Sequence, residues 1–141
     1  MTKQRVKRAP ARAKVRKAKR PARTMLRVKR AYDPPAAADG LRILIDRLWP
    51  RGISKEAMKL DLWAKEISPS TALRQWYGHK PERLAEFRRR YRAELAEQKD
   101  SLKELRARLR GHTATLLTAT RELDLSHAGV LCEVLRGRKT G

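Results

Sequence analysis

Residues 41–54, LRILIDRLWPRGIS, place an acid, two arginines and a tryptophan directly after an apolar run. Asp46 can serve as a general base or orient a neighbouring guanidinium. Arg47 and Arg51 carry the planar forks that match a carboxylate or a phosphate. Pro50 fixes the turn, and Trp49 can wall a pocket. Each residue also has a plainer reading. Asp46 can be the structural partner of Arg47 or Arg51, one arginine can serve a core carboxylate, and Trp49 can simply pack. A second candidate lies in DLSHAGVL, where Ser126 and His127 precede an apolar-periodic stretch. Free amides at a helix start suit an anion. The same dipole disfavours an imidazolium, so His127 is expected neutral. Asp46 and His127 are therefore the candidate proton-handling pair, with Arg47, Arg51 and the Ser126 region as anion holders.

Other reactive residue types carry less. His79 reads as a surface or capping residue, and His112 has no supporting pattern. The three histidines and Cys132 lack metal-ligand spacing, so neither a zinc site nor any other metal is expected. Cys132 follows Leu131 on an apolar helix face and reads as an inert buried thiol. No glycine-rich phosphate loop is present, and no cofactor is expected.

The elements that must position these residues follow from periodicity. Residues 25–32 alternate Leu26 and Val28 with Arg27 and Lys29, a strand with one wet face near an edge. Ile43-Leu44-Ile45, within 41–48, reads as a strand buried on both faces and stopped by Pro50. Ser54 can cap a short helix to about Met58, followed by an extended segment. Ser70 caps a helix that buries Leu73, Trp76 and Tyr77, and Gly78 ends it. A helix over about 81–98 stripes Leu84, Phe87, Tyr91 and Leu95 on one face and arginines on the other. Ser101 to Glu104 has the form of a capping box for a helix lined by Leu102, Leu105 and Leu109. Residues 113–119 read as a second buried strand, and His127 to Leu135 as a last amphipathic helix. Buried strands separated by helices imply an α/β fold, a single three-layer-type domain with a small, mainly parallel sheet flanked by helices. In such sheets ligands favour the crevice beyond the strand C-termini, where 46–52 and 118–128 emerge.

Charge divides the chain in two. Its formal charge is +21 over 141 residues, and residues 1–24 hold 11 basic residues and no acid. That tail has few apolar side chains and is expected to be disordered; residues 25–141 form the expected domain. A dense cationic tail suits DNA, RNA or another polyanion. One cysteine permits no intrachain disulfide, and no apolar run reaches membrane-span length or resembles a secretory signal. A transit peptide fits less well, because the tail has no serine and no amphipathic apolar face. A cytoplasmic protein is expected, nucleoid-associated if the tail meets DNA.

Three stretches carry a resemblance: RILIDRLWPRGISKE, SPSTALRQWYGHKPERLAEFRRRYRAEL and TLLTATRELDLSHAGVL. In order and spacing, over about residues 26–136, they resemble the YeaO-like branch of the DUF488 family. The resemblance implies a small bacterial α/β domain and names no reaction. It maps the family motif onto Asp46, Arg47, Trp49, Pro50, Arg51 and Gly52, and a Pro-Ser-Thr segment onto Pro69, Ser70 and Thr71. The last motif falls on Thr118, Ala119, Thr120, Ser126, His127 and Ala128. Here the chain departs from the pattern: Thr118 stands for a usual tyrosine, Glu122 for aspartate and Ser126 for asparagine. The resemblance thus adds Ser70, Thr118 and Ser126 to Arg47, Trp49 and Arg51 as ligand-binding candidates. The leading functional expectation is a small-anion cleft. The alternative is non-specific nucleic-acid binding through the tail.

Overall fold

The computed structural model describes residues 25–137; the tail at 1–24, read from sequence as disordered, lies outside them. Four strands form one sheet: β1 (Met25–Arg30), β2 (Leu41–Leu44), β3 (Leu62–Trp63) and β4 (Thr113–Thr118). Their order is β1-β4-β2-β3, and all three pairings are parallel. Among the described residues five α-helices accompany them: α1 (Lys55–Met58), α2 (Thr71–Tyr77), α3 (Leu84–Ala96), α4 (Lys99–Leu109) and α5 (Ala128–Leu135). The α/β class and the parallel sheet agree with the sequence reading.

Alternation along the strands divides the core. Ile43, Ile45, Ala114 and Leu116 face α2 to α5 and form the larger cluster with Phe87, Tyr91 and Leu131. Leu44 and Leu117 face the opposite side. There Ala31, Met58 and the half-buried Trp49, Ile53, Leu60 and Trp63 cover them. The third layer is thus one helical turn plus a loop. β1 is one of the two edge strands, its burial alternating at the start as expected.

A buried ion cluster sits at the start of β2. Asp39, 2% exposed, accepts from Lys29 Nζ at 2.9 Å and from Arg42 Nη1 at 2.5 Å. Burial pushes the Asp39 carboxyl up, but Lys29, the Ala36 amide and Arg42 outweigh it and hold the pKa at about 2. The following Gly40 has φ +65°, and a Cβ there would meet the Thr113 carbonyl oxygen at 2.0 Å, so only glycine fits.

Several boundaries differ from the sequence reading. The β2 strand ends at Leu44, although the Ile45 amide still donates to the Leu117 carbonyl at 3.0 Å. The helix over 81–98 divides into a 3-10 turn at Pro81–Arg83 and α3. Trp76 is half-buried, its ring 5.1 and 4.2 Å from the Arg83 and Arg90 guanidiniums. The Ser101–Glu104 capping box is not formed. α4 starts at Lys99, because the Leu102 amide already donates to the Gln98 carbonyl and Ser101 lies inside the first turn. Burial of Leu102, Leu105 and Leu109 is the same for either start, so the apolar stripe does not specify the cap.

Candidate functional site

The polypeptide leaves β2 towards the thin layer, through α1, and leaves β4 towards the helical face, through α5. Adjacent parallel strands whose connections diverge open a crevice at their C-terminal ends. Asp46 and Ala119 meet at this point. The Asp46 Oδ1 accepts from Thr118 Oγ1 at 2.7 Å, and its Oδ2 accepts from the Ala119 amide at 2.7 Å. Among the described residues Asp46 has no ion pair with Arg47 or Arg51. Its carboxylate ties the ends of β2 and β4 together.

His127, at the N-cap of α5, is 7% exposed. Its Nε2 lies 2.7 Å from the Ile45 carbonyl oxygen and 3.6 Å from Asp46 Oδ1. A carbonyl only accepts, so Nε2 carries the hydrogen and Nδ1 is the bare nitrogen of the neutral ring. Burial pushes the His127 pKa below the ordinary histidine value. The Asp46 charge and the Ile45 carbonyl oppose this, whereas His79 and Arg74 reinforce it. Burial is the main cause of this shift, where the sequence reading argued from the helix dipole.

The loop after Asp46 is fixed through backbone carbonyls. Arg47 donates from Nε to Pro69 O at 3.2 Å and from Nη2 to Ser68 O at 3.0 Å. Trp63 Nε1 donates to Asp46 O at 2.7 Å, and Trp49 Nε1 to Ile53 O at 2.6 Å. The two indoles meet edge to face, 5.3 Å apart. Tyr32 Oη donates to the Arg51 carbonyl at 2.9 Å. Arg51 itself is exposed, and its guanidinium has no hydrogen bond or ion pair among the described residues.

These groups surround a cleft of about 520 Å³. Asp46, Arg47, Trp49, Arg51 and His127 all line it, so five of the residues read from sequence converge. Thr118 acts from beneath by holding Asp46. Ser126 is buried, donating to Leu123 O at 2.8 Å and accepting from the Ala128 amide at 3.2 Å. Ser70 faces elsewhere: it caps α2, hydrogen-bonds Glu94 Oε2 at 2.5 Å, and lines a separate groove beside Arg47. Sequence reasoning missed Tyr32, Arg74, Tyr77 and His79, which complete the wall. Arg74 Nε is buried and has no partner among the described residues. Its place on the Ser70-capped helix was legible, but the direction in which that helix faces was not. Cys132 is buried and its thiol pKa is raised by that burial, in keeping with an inert role.

Among the described residues no group of three or more His, Cys, Asp or Glu side chains is placed to hold a metal ion, and no helix is long and apolar enough to cross a membrane.

A parallel α/β domain with a basic cleft at the β2–β4 divergence is the class these features define. Residues 25–140 match the family described as the inactive DUF488-N3 subclade, and the chain belongs to that family. An uncharacterized protein of Mycobacterium tuberculosis is 44% identical over 115 residues, covering 82% of this chain and 97% of that protein. The uncharacterized protein YeaO of Escherichia coli is 44% identical over 111 residues, covering 79% and 96%. The resemblance carried by the DRLWPRG segment is borne out. No solved structure matches the chain.

Proposed function

We propose that this protein is a binding module for a small anionic ligand, held in the cleft between the C-terminal ends of β2 and β4. One observation carries the reading. Three arginines line the cleft against a single carboxylate, Asp46, and both Asp46 oxygens are already engaged by Thr118 and Ala119. The cleft therefore has excess positive charge. Two of its guanidiniums, Arg51 and Arg74, lack an acceptor or leave a buried donor unmet among the described residues. The exposed Arg51 guanidinium is open to an arriving oxyanion, and Arg74 adds positive charge to the wall. Arg47 contributes fixed charge while bracing the Ser68-Pro69 carbonyls.

Binding without turnover fits the site better than catalysis. Asp46 serves two hydrogen bonds, and His127 Nε2 is committed to a carbonyl. The description of the family as inactive supports the same reading. The test is isothermal titration with phosphate, sulfate and malonate at constant ionic strength, with chloride as reference. Binding of at least one oxyanion is expected, and Arg51→Ala should weaken it about tenfold or more, the worth of a charge-assisted hydrogen bond. Unchanged affinity in Arg51→Ala would move the site elsewhere.

A second reading concerns residues 1–24. Eleven cations without an acid favour polyanion binding, independently of the cleft. The two readings concern different parts of the chain and are compatible.

A further inference from the structure

We infer that the cleft's ligand is an organic phosphate monoester, a dianionic phosphate on an apolar or aromatic body, rather than a bare inorganic ion or a carboxylate; this rests on the anion-binding reading above. Size is the first argument. A cleft of about 520 Å³ falls in the range of ~300–1,000 Å³ that accommodates whole organic ligands, far more than one phosphate group needs.

Apolar exposure is the second argument. Three large hydrophobic side chains are exposed among the described residues: Met25, Tyr32 at 44% and Leu48 at 64%. Two of them, Tyr32 and Leu48, line this cleft. Leu48 lies between Arg47, which is fixed to carbonyls, and Trp49, which is fixed to Ile53, so its exposure follows from a braced loop. Burying these side chains under a ligand's apolar body removes their surface from water. Tyr77 and Phe87, stacked with centroids 4.1 Å apart and largely buried, also line the cleft.

Charge is the third argument. Arg47, Arg51 and Arg74 against Asp46 leave the lining at a formal +2, with both lining histidines, His79 and His127, counted as neutral. A phosphate monoester, with a second pKa of about 6, is a dianion above neutral pH and matches that charge. A carboxylate leaves one positive charge unmatched.

The experiment uses the full chain at pH 7.5 and titrates 1-naphthyl phosphate, inorganic phosphate and 1-naphthoate. Naphthyl phosphate should bind at least about tenfold more tightly than either of the others. Leu48→Ser, at an exposed position, should weaken naphthyl phosphate several-fold and leave inorganic phosphate unchanged. Arg51→Ala should weaken both phosphates, and because it keeps residues 1–24 intact, it also separates cleft binding from binding by the tail. Inorganic phosphate or naphthoate binding as tightly as naphthyl phosphate overturns the inference but leaves the anion cleft standing. Indifference to Leu48→Ser likewise overturns the organic part alone. Absence of binding by all three, or binding untouched by Arg51→Ala, overturns both.

Discussion

His127 is held neutral inside a site rich in arginine, and its environment makes this measurable. Burial, with Arg74 and His79 adding to it, lowers its pKa below the ordinary value, while Asp46 and the Ile45 carbonyl pull the other way. The folded chain thus binds a proton at this position less readily than the unfolded chain, whose histidine titrates near ~6.5. Stability rises with pH wherever the unfolded state binds more protons. The contribution of His127 is therefore complete above about pH 6.5 and declines as the pH falls from there towards the lowered folded value. Urea unfolding at pH 7.5 and pH 5.5 should show this loss, and His127→Gln should remove most of it. A variant retaining the full pH dependence would assign the effect to another group. Asp46 illustrates what a sequence can and cannot convey at this scale. Its position after an apolar run marked it as a site residue, but its partners are Thr118 Oγ1 and the Ala119 amide, 72 and 73 residues away. Those contacts depend on β2 lying next to β4, so the sequence neighbours Arg47 and Arg51 were natural but unrealised partners. Arg42 was hidden for a similar reason. It sits among Leu41, Ile43 and Leu44 and is buried only because Asp39 and the Met58 carbonyl receive its guanidinium.

Ser70 shows how an element's start can matter more than any pocket contact. Its hydroxyl accepts from the Leu73 amide at 3.1 Å and donates to Glu94, while its own amide donates to Glu94 Oε1 at 2.8 Å. One serine thus caps α2 and fixes it against α3. That fixes the helix bearing Arg74 and Tyr77 on the cleft wall. Ser70→Ala should cost about 1–3 kcal/mol, combining the usual cap loss with the loss of a hydrogen bond to a carboxylate. Anion affinity should fall less than in Arg51→Ala, because Ser70 does not line the cleft. Chemical denaturation and titration of the same variant check both parts. A stability change under about 0.5 kcal/mol would mean that packing of Leu73 and Tyr77 alone sets the helix start. Elements with a local chemical stop were legible: Ser70 and Gly78 bound α2, whereas β2 ends at Leu44, well before Pro50. Boundaries set only by an apolar stripe were not, because Leu102, Leu105 and Leu109 occupy one face whether α4 begins at Lys99 or after Ser101. Strand order was equally hidden. An apolar run specifies burial on both faces but not which strand lies beside it.

At the scale of the whole molecule, charge is unevenly divided along the chain. The described core lies within residues 25–137, and the family match begins at residue 25. The relatives are covered almost end to end by the part of this chain that aligns with them. Residues 1–24 add 11 cations and little apolar surface, leaving the other 117 residues at +10. Deleting the tail should leave the melting temperature nearly unchanged at fixed salt, because it brings too little apolar area to dock. Nucleic-acid affinity should respond differently. If about half to two-thirds of the tail cations meet phosphates, the slope of log affinity against log salt for duplex DNA is about −5 to −7, at ~−0.9 per contact. Affinity should be nearly the same for two unrelated duplexes, since cations that meet phosphates carry no sequence information. The 25–141 chain should lose most of this binding despite its +10. Its charge is spread over a surface where Glu86 already pairs Arg89 and Arg90, and Glu133 pairs Arg92. Salt titrations of both chains on both duplexes measure the slope, the sequence preference and the contribution of the tail together. Equal affinity of the two chains would put the nucleic-acid surface on the folded domain, with the arginine face of α3 as the first place to mutate. A strong preference for one duplex would require a reader of base edges within the domain.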